Sequence, residues 1–158
     1  MEIRKFRDTD ISQIISLFYE TVYTINKKDY SPEQLDAWAP KDELELKLKT
    51  WKQLMKLNIT YVAEINGKIV GFSDMTHEGH LDRLYIHKDF QRQGIASTLL
   101  NILESEARRL GLVEMETEAS ITARPFFERQ RYRITQSQTV ERRGIELVNF
   151  KMSKQLLS

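Results

Sequence analysis

Cysteine is absent from the 158 residues. Its absence removes disulfide scaffolds, thiolate zinc sites and cysteinyl nucleophiles, and is compatible with a reducing compartment. Three prolines and six glycines are too few for collagenous or low-complexity chains. With 41% hydrophobic and 30% charged residues the composition is that of a globular domain rather than a disordered segment. No sign of charge dominates. The 24 basic and 23 acidic residues leave a formal net charge of +1, so no whole-protein field draws the chain to nucleic acid or to an anionic membrane, and any anion site has to be local. Apolar runs stay well below the roughly eighteen residues a membrane span needs, and the first residues, MEIRKFRDTD, have no apolar run behind their charges. The expectation is a cytoplasmic protein that contacts no membrane. At this length one domain, residues 1–158, is the default, and no repeat or linker argues otherwise.

What is present is periodicity that changes along the chain. Residues 2–7 alternate as a short strand, and Ile11, Ile14, Ile15, Phe18 and Val22 then share a helical face, with Asp8, Thr9 or Asp10 available as N-cap. Ser31-Pro32-Glu33-Gln34 is a capping-box start for a brief helix that Pro40 ends. A further helix spans about 42–57, with Leu44, Leu48, Trp51 and Met55 as its apolar stripe. The period then becomes two. Strands at 61–65 and 68–75 are joined by Asn66-Gly67, which favours a type I′ hairpin turn, and a third strand at 79–86 carries His80, Asp82, Leu84 and Ile86 on one face. A helix over 94–110 follows, closed by Gly111, then a strand at 113–118, a helix at 122–130, and strands at 132–141 and 145–152.

The strongest local feature is Leu84-Tyr85-Ile86-His87-Lys88-Asp89-Phe90-Gln91-Arg92-Gln93-Gly94-Ile95-Ala96-Ser97. An apolar strand leads through a polar turn into a helix whose first turn holds only small residues beside Ile95. Its free amides and the positive end of the helix dipole suit a pyrophosphate or similar anion, which small residues allow to approach the backbone. Lys88 and Arg92 add charge.

Here the sequence resembles the GNAT superfamily of acyl-CoA-dependent N-acyltransferases. The family signature, Gln or Arg, two residues, Gly, one residue, Gly or Ala, reads Gln91-Arg92-Gln93-Gly94-Ile95-Ala96. The later run Ala119-Ser120-Ile121-Thr122-Ala123-Arg124-Pro125-Phe126-Phe127-Glu128 looks like the family's second cofactor motif. The resemblance implies an α+β fold with a mixed central sheet of six to seven strands in the order β-α-α-β-β-β-α-β-α-β-β. Two central parallel strands, 80–86 and 113–118, would splay to admit pantetheine. It implies acetyl-CoA as cofactor, with Leu84, Tyr85 and Ile86 along pantetheine and the acyl carbonyl, and Gln91, Arg92, Gln93, Gly94, Ile95, Ala96 and Ser97 around the pyrophosphate. Ser120, Ala123, Phe126 and Phe127 would flank pantetheine and thiol, and Arg129 or Arg92 would meet the 3′-phosphate.

Acyl transfer to an amine needs a base, a polarised carbonyl and a proton for the leaving thiolate. Imidazole titrates near neutral pH without large shifts, and the resemblance, counted back from the signature, puts His80 where many relatives carry a catalytic Glu, so His80 is the candidate base, with Asp82 orienting it and Glu78 as an alternative. The resemblance points to the Leu84 amide for the developing oxyanion. It departs at Phe127, where many relatives carry a proton-donating Tyr; Tyr132 and Tyr85 are the alternative hydroxyls. Two further departures are Ser120, where Asn is frequent, and Arg131-Tyr132, where Gly followed by an aromatic is frequent. Tyr30 and Trp38, with Tyr19 and Tyr23, are candidates for the acceptor side, under a mobile loop at 26–30. The expected acceptor is a small-molecule or peptide primary amine. Two other readings compete: an acyl-CoA sensor without turnover, and RNA or ribosome binding through the eight basic residues of 124–158, whose Arg142 and Arg143 read instead as solvated faces. The last two strands leave either a monomer or an edge-paired homodimer.

Overall fold

The first apolar stripe folds as helix α1 (Ile11–Ile25) in the computed structural model, which describes residues 1–156. None of the three expected caps serves through its side chain. Asp8–Asp10 form a 3-10 turn, and the Asp10 carboxylate turns back to accept the Arg7 amide at 2.8 Å and two Arg4 guanidinium bonds at 2.9 Å. Helix α2 (Pro32–Trp38) has its capping box in full: Ser31 Oγ accepts the Gln34 amide at 3.2 Å and Gln34 Oε1 accepts the Ser31 amide at 2.9 Å. Helix α3 (Leu44–Leu57) follows a 3-10 turn.

Strand β1 (Glu2–Lys5) and strands β2 (Ile59–Ile65), β3 (Lys68–Met75), β4 (His80–Ile86), β5 (Glu114–Ser120), β6 (Arg133–Arg142) and β7 (Ile145–Gln155) form one mixed sheet in the order β1-β2-β3-β4-β5-β7-β6. Asn66 and Gly67 both have positive φ, as the type I′ turn between β2 and β3 requires. Every pairing is antiparallel except β4 with β5. Helix α4 (Ile95–Arg109) covers one face over Leu81, Met75 and Met115, and α1 with α3 covers the other over Phe72 and Val62. Helix α5 (Arg124–Arg129) packs Phe127 into the α4 side.

The segment 26–30 is not a loose loop. Asp29 accepts from Thr122 Oγ1 at 2.8 Å, while the Tyr30 hydroxyl donates to Val148 O at 2.7 Å and accepts the Ile121 amide at 2.9 Å. These bonds fasten the end of α1 to the β5–α5 turn and to β7.

Candidate active site

One extra residue in β4 organises the site. Asp74 pairs with Arg83 and Met75 with Leu81, so Asp82 has no partner across from it and forms a β-bulge. Strict alternation, which placed His80 and Asp82 with Leu84 and Ile86, therefore fails. Leu81, Leu84 and Ile86 pack toward α4, whereas Arg83 lies over Trp51 at 4.8 Å and Tyr85 packs among Phe18 and Phe72 on the α1 and α3 side. The bulge brings Tyr85 onto the same side as His80 and Asp82, where all three line one cavity.

The parallel ladder between β4 and β5 is two residues long, His80 with Glu116 and Leu81 with Thr117, while β5 stays paired to β7 as far as Ser120. Beyond Leu81 the strands part. The His87 amide donates to Val70 O in β3, so by strand alternation the N–H and C=O of Leu84 and Ile86 point the other way, into the opening. The Ile86 carbonyl is already engaged there by Gln91 Nε2 at 2.7 Å and Thr21 Oγ1 at 3.0 Å. The Leu84 amide faces a stretch of β5 that makes no ladder with it.

The turn that follows ends at Gly94, with φ of 81° and no side chain to cap the first-turn amides of α4. Arg92 also has positive φ, 60°. A Cβ added to Gly94 would have no protein atom nearer than Ser97 Oγ at 4.0 Å, so the space above these amides is open to an anion. Gln91 is fixed beneath the turn, and Arg92, Gln93 and Gly94 are exposed around it. His87 accepts the Asp89 amide at its Nδ1, and burial, then Lys68, pushes its pKa down, which keeps that nitrogen an acceptor.

The cavity on the other side of the opening measures about 280 Å³. His80 stands at its edge between two carboxylates, with Nδ1 3.2 Å from Glu116 Oε1 and Nε2 3.6 Å from Asp82 Oδ1. Asp82 is held by Asn58 Nδ2 at 2.9 Å, and the same amide nitrogen donates to Asp74 at 3.0 Å. Asp74 is fully buried and takes Arg83 at 2.8 Å; burial raises its pKa against the pull of Arg83. Glu116, Glu118 and Asn58 were not anticipated. The period-two run Glu114, Glu116, Glu118 on β5 was the available signal for the first two, whereas Asn58 lies at the end of a helix with no pattern to mark it.

The expected aromatic residues separate into two groups. Tyr30, Trp38 and Tyr85 line the cavity, and Tyr30 packs edge-on against Trp38 with centroids 5.2 Å apart. Tyr19 and Tyr23 instead pin the α2–α3 connection, their hydroxyls donating to the carbonyls of Pro40 and Ala39. Burial pushes the Tyr85 hydroxyl up to about 12, against a smaller opposing pull from Trp38. Tyr132 lies in the α4-side core with its hydroxyl on Glu104 at 2.8 Å, beside Phe127, and is away from the cavity. Ser120 Oγ accepts the Ala123 amide at 3.0 Å, Phe126 packs edge-on against Phe127, and Arg129 is exposed at the end of α5. Arg142 and Arg143 are exposed as expected; Arg143 also makes two 3.0 Å bonds to the exposed Asp42, and Arg142 lines the cavity.

A mixed sheet parted between two parallel strands, beside a helix turn open to an anion, is the frame of an acyl-CoA-dependent acyltransferase. The chain belongs to the GNAT acetyltransferase family, whose domain description, Acetyltransferase (GNAT) domain, matches residues 26–154. It is 35% identical over 153 residues to the uncharacterized N-acetyltransferase YafP of Escherichia coli K12, covering 96% of this chain and 94% of that one. The crystal structure of a GCN5-related N-acetyltransferase from Rhodopseudomonas palustris superposes with a TM-score of 0.90 at 29% identity, over 98% of this chain and 94% of that one. PaiA N-acetyltransferase of Thermoplasma acidophilum, solved in complex with coenzyme A, shares the fold at a TM-score of 0.72 and 19% identity, with 98% of each chain covered. Among the described residues no helix is long and apolar enough to cross a membrane.

Proposed function

We propose that this chain transfers an acetyl group from acetyl-CoA to a primary amine by direct attack, with His80 as base and Tyr85 as acid. The observation that supports this most is the placement of His80 and Tyr85 in one cavity beside the opening that exposes the Leu84 amide. The open turn at Gly94 fits a pyrophosphate, and the Leu84 backbone with the Ile86 amide fits pantetheine as an added strand would, the Ile86 carbonyl being taken by Gln91 and Thr21. Acetyl-CoA, when bound, supplies an activated thioester.

The residues divide the remaining work. Glu116 accepts the Nδ1 proton of His80 and so fixes the tautomer that leaves Nε2 with its lone pair toward Asp82 and the cavity. That nitrogen takes the proton which the amine loses as the new C–N bond forms. The Leu84 amide donates to the acyl oxygen as charge develops there. Tyr85 stays protonated at neutral pH and gives its proton to the sulfur as the C–S bond breaks, the role Phe127 cannot fill.

Thiol release from acetyl-CoA, measured with an amine panel across pH, tests this. Wild type turns over with an acidic limb that His80→Gln flattens. Tight acetyl-CoA binding without turnover of any amine would make the chain a sensor instead, and an unchanged limb in H80Q would remove His80 from the reaction.

A further inference from the structure

We infer that the acceptor is an amphoteric molecule, with a primary amine at one end, an apolar body, and a carboxylate or similar anion at the other. The inference rests on the acceptor cavity proposed above and concerns what that cavity selects. Its lining is sorted by charge. At the His80 end stand Asp82 and Glu118, and Gln138 of β6 donates to Glu118 at 3.0 Å. Period-two alternation puts Gln138, Val140 and Arg142 on one face of β6, and Val140 and Arg142 both line the cavity. Arg142 stands four residues beyond Gln138, about 13 Å along the strand at the usual rise.

Arg142 is not committed elsewhere. Its only hydrogen bond among the described residues is to the carbonyl of its neighbour Glu141 at 3.1 Å, whereas Arg143 is occupied by Asp42 and Glu43. It also has cationic company. The Lys47 ammonium lies 5.3 Å from the centre of the Trp51 ring and has no carboxylate in ion-pair contact among the described residues. Burial lowers its pKa, Glu43 opposes that, and Arg83 and Arg142 repel it further. Arg83 is paired with Asp74, so the repulsion between Lys47 and Arg142 is what an anion held by Arg142 relieves.

Trp38, Val140 and Leu147 give the lining an apolar part, with Tyr30, Ser120 and Asn149 as its polar neighbours. An α-amino acid carries its two charges too close together to reach both ends. An amine separated from its carboxylate by a ring or a short chain, or a short peptide, spans them, and a volume of about 280 Å³ holds only a small one. The ammonium is drawn to Asp82 and Glu118, gives its extra proton to solvent water, and presents nitrogen to His80.

The test compares 4-(aminomethyl)phenylacetic acid with its methylamide, which keeps the amine and removes the charge. Two readouts are taken for each: thiol release from acetyl-CoA, and calorimetric binding to the protein loaded with CoA, which requires no turnover. For wild type the acid is favoured at least tenfold in both. Arg142→Glu drops that ratio below one and Arg142→Gln brings it near one. An acid-to-amide ratio of one or less in wild-type binding overturns the inference even if both amines are acetylated, as does a ratio unmoved in R142E. Acid-selective binding that R142E abolishes, with no thiol release at all, upholds the acceptor site and refutes the transferase reading instead.

Discussion

Gly94→Ala separates two contributions that a single glycine makes. The first is conformational. Gly94 has φ of 81°, and an L-residue in that region costs roughly 1–2 kcal/mol. No clash adds to it, because the nearest protein atom to the new Cβ is Ser97 Oγ at 4.0 Å. For a chain of this size each kcal/mol lowers Tm by about 2–4 °C, so G94A melts about 2–8 °C below wild type. The second is functional. The methyl group would stand in the open space over the first-turn amides of α4, where a pyrophosphate has to come close. Losing one charge-assisted hydrogen bond of about 1.5–3 kcal/mol weakens binding by roughly 10–100-fold. Differential scanning calorimetry, and calorimetric CoA titration below the Tm of the variant, read the two separately. A lowered Tm with unchanged CoA affinity would refute the cradle, and an unchanged Tm would refute the strain.

Three further outcomes are expected. Tyr85→Phe slows amine-dependent thiol release by ~100-fold or more while CoA affinity holds, measured by steady-state kinetics and titration; equal turnover would return the proton donation to water. Tyr132→Phe does the reverse, losing the 2.8 Å bond to buried Glu104, which keeps Lys154 at 2.9 Å; it costs about 2 kcal/mol in urea unfolding and leaves turnover at the wild-type rate. Asp10→Asn tests an ion pair through its pH dependence. Burial alone would raise the Asp10 carboxyl, but the Arg4 hydrogen bonds and the Arg7 amide outweigh it and hold the carboxyl below its ordinary value. The folded state therefore binds that proton less readily than the unfolded chain does. The stabilisation is complete above about pH 4 and is lost as pH falls through the lowered value. D10N should cost about 2–3 kcal/mol at pH 7, near the low end for a broken buried pair because Asn still accepts the Arg7 amide, and the gap to wild type should close toward pH 2. A gap independent of pH would mean that charge is not what Asp10 contributes.

Elements whose own residues carry the signal were legible in the sequence. The Ser31–Gln34 capping box, the Asn66-Gly67 turn and the glycine turn at 91–94 each depend on local chemistry, and each is where the spacing put it. The site was legible only in part, because its geometry is set by an irregularity that no periodicity announces. Alternation counted through Asp82 puts Tyr85 on the opposite side of the sheet from His80, whereas its side chain lines the same cavity. Long-range partners were equally hidden. Nothing near Asn58 in the chain marks it as the holder of Asp82, 24 residues away, and nothing near Arg143 marks Asp42, 101 residues away. Tyr19 and Tyr23 show the opposite error, since an aromatic on a helix near a cleft serves as readily to tie down a loop as to meet a ligand.

The bulge at Asp82 also shifts the parity of the strand. Counted along the chain, residues beyond it are out of phase with those before it, which is how Tyr85 comes to share the cavity with His80 while Leu84 and Ile86 face α4. The pairing with β3 on either side is that of a regular strand with one residue added. Deleting Asp82 would therefore restore plain alternation and leave Tyr85 on the cavity side and Leu84 and Ile86 toward α4. The bulge is slack of one residue, so its loss removes a carboxylate from the cavity and leaves the hydroxyl where it is.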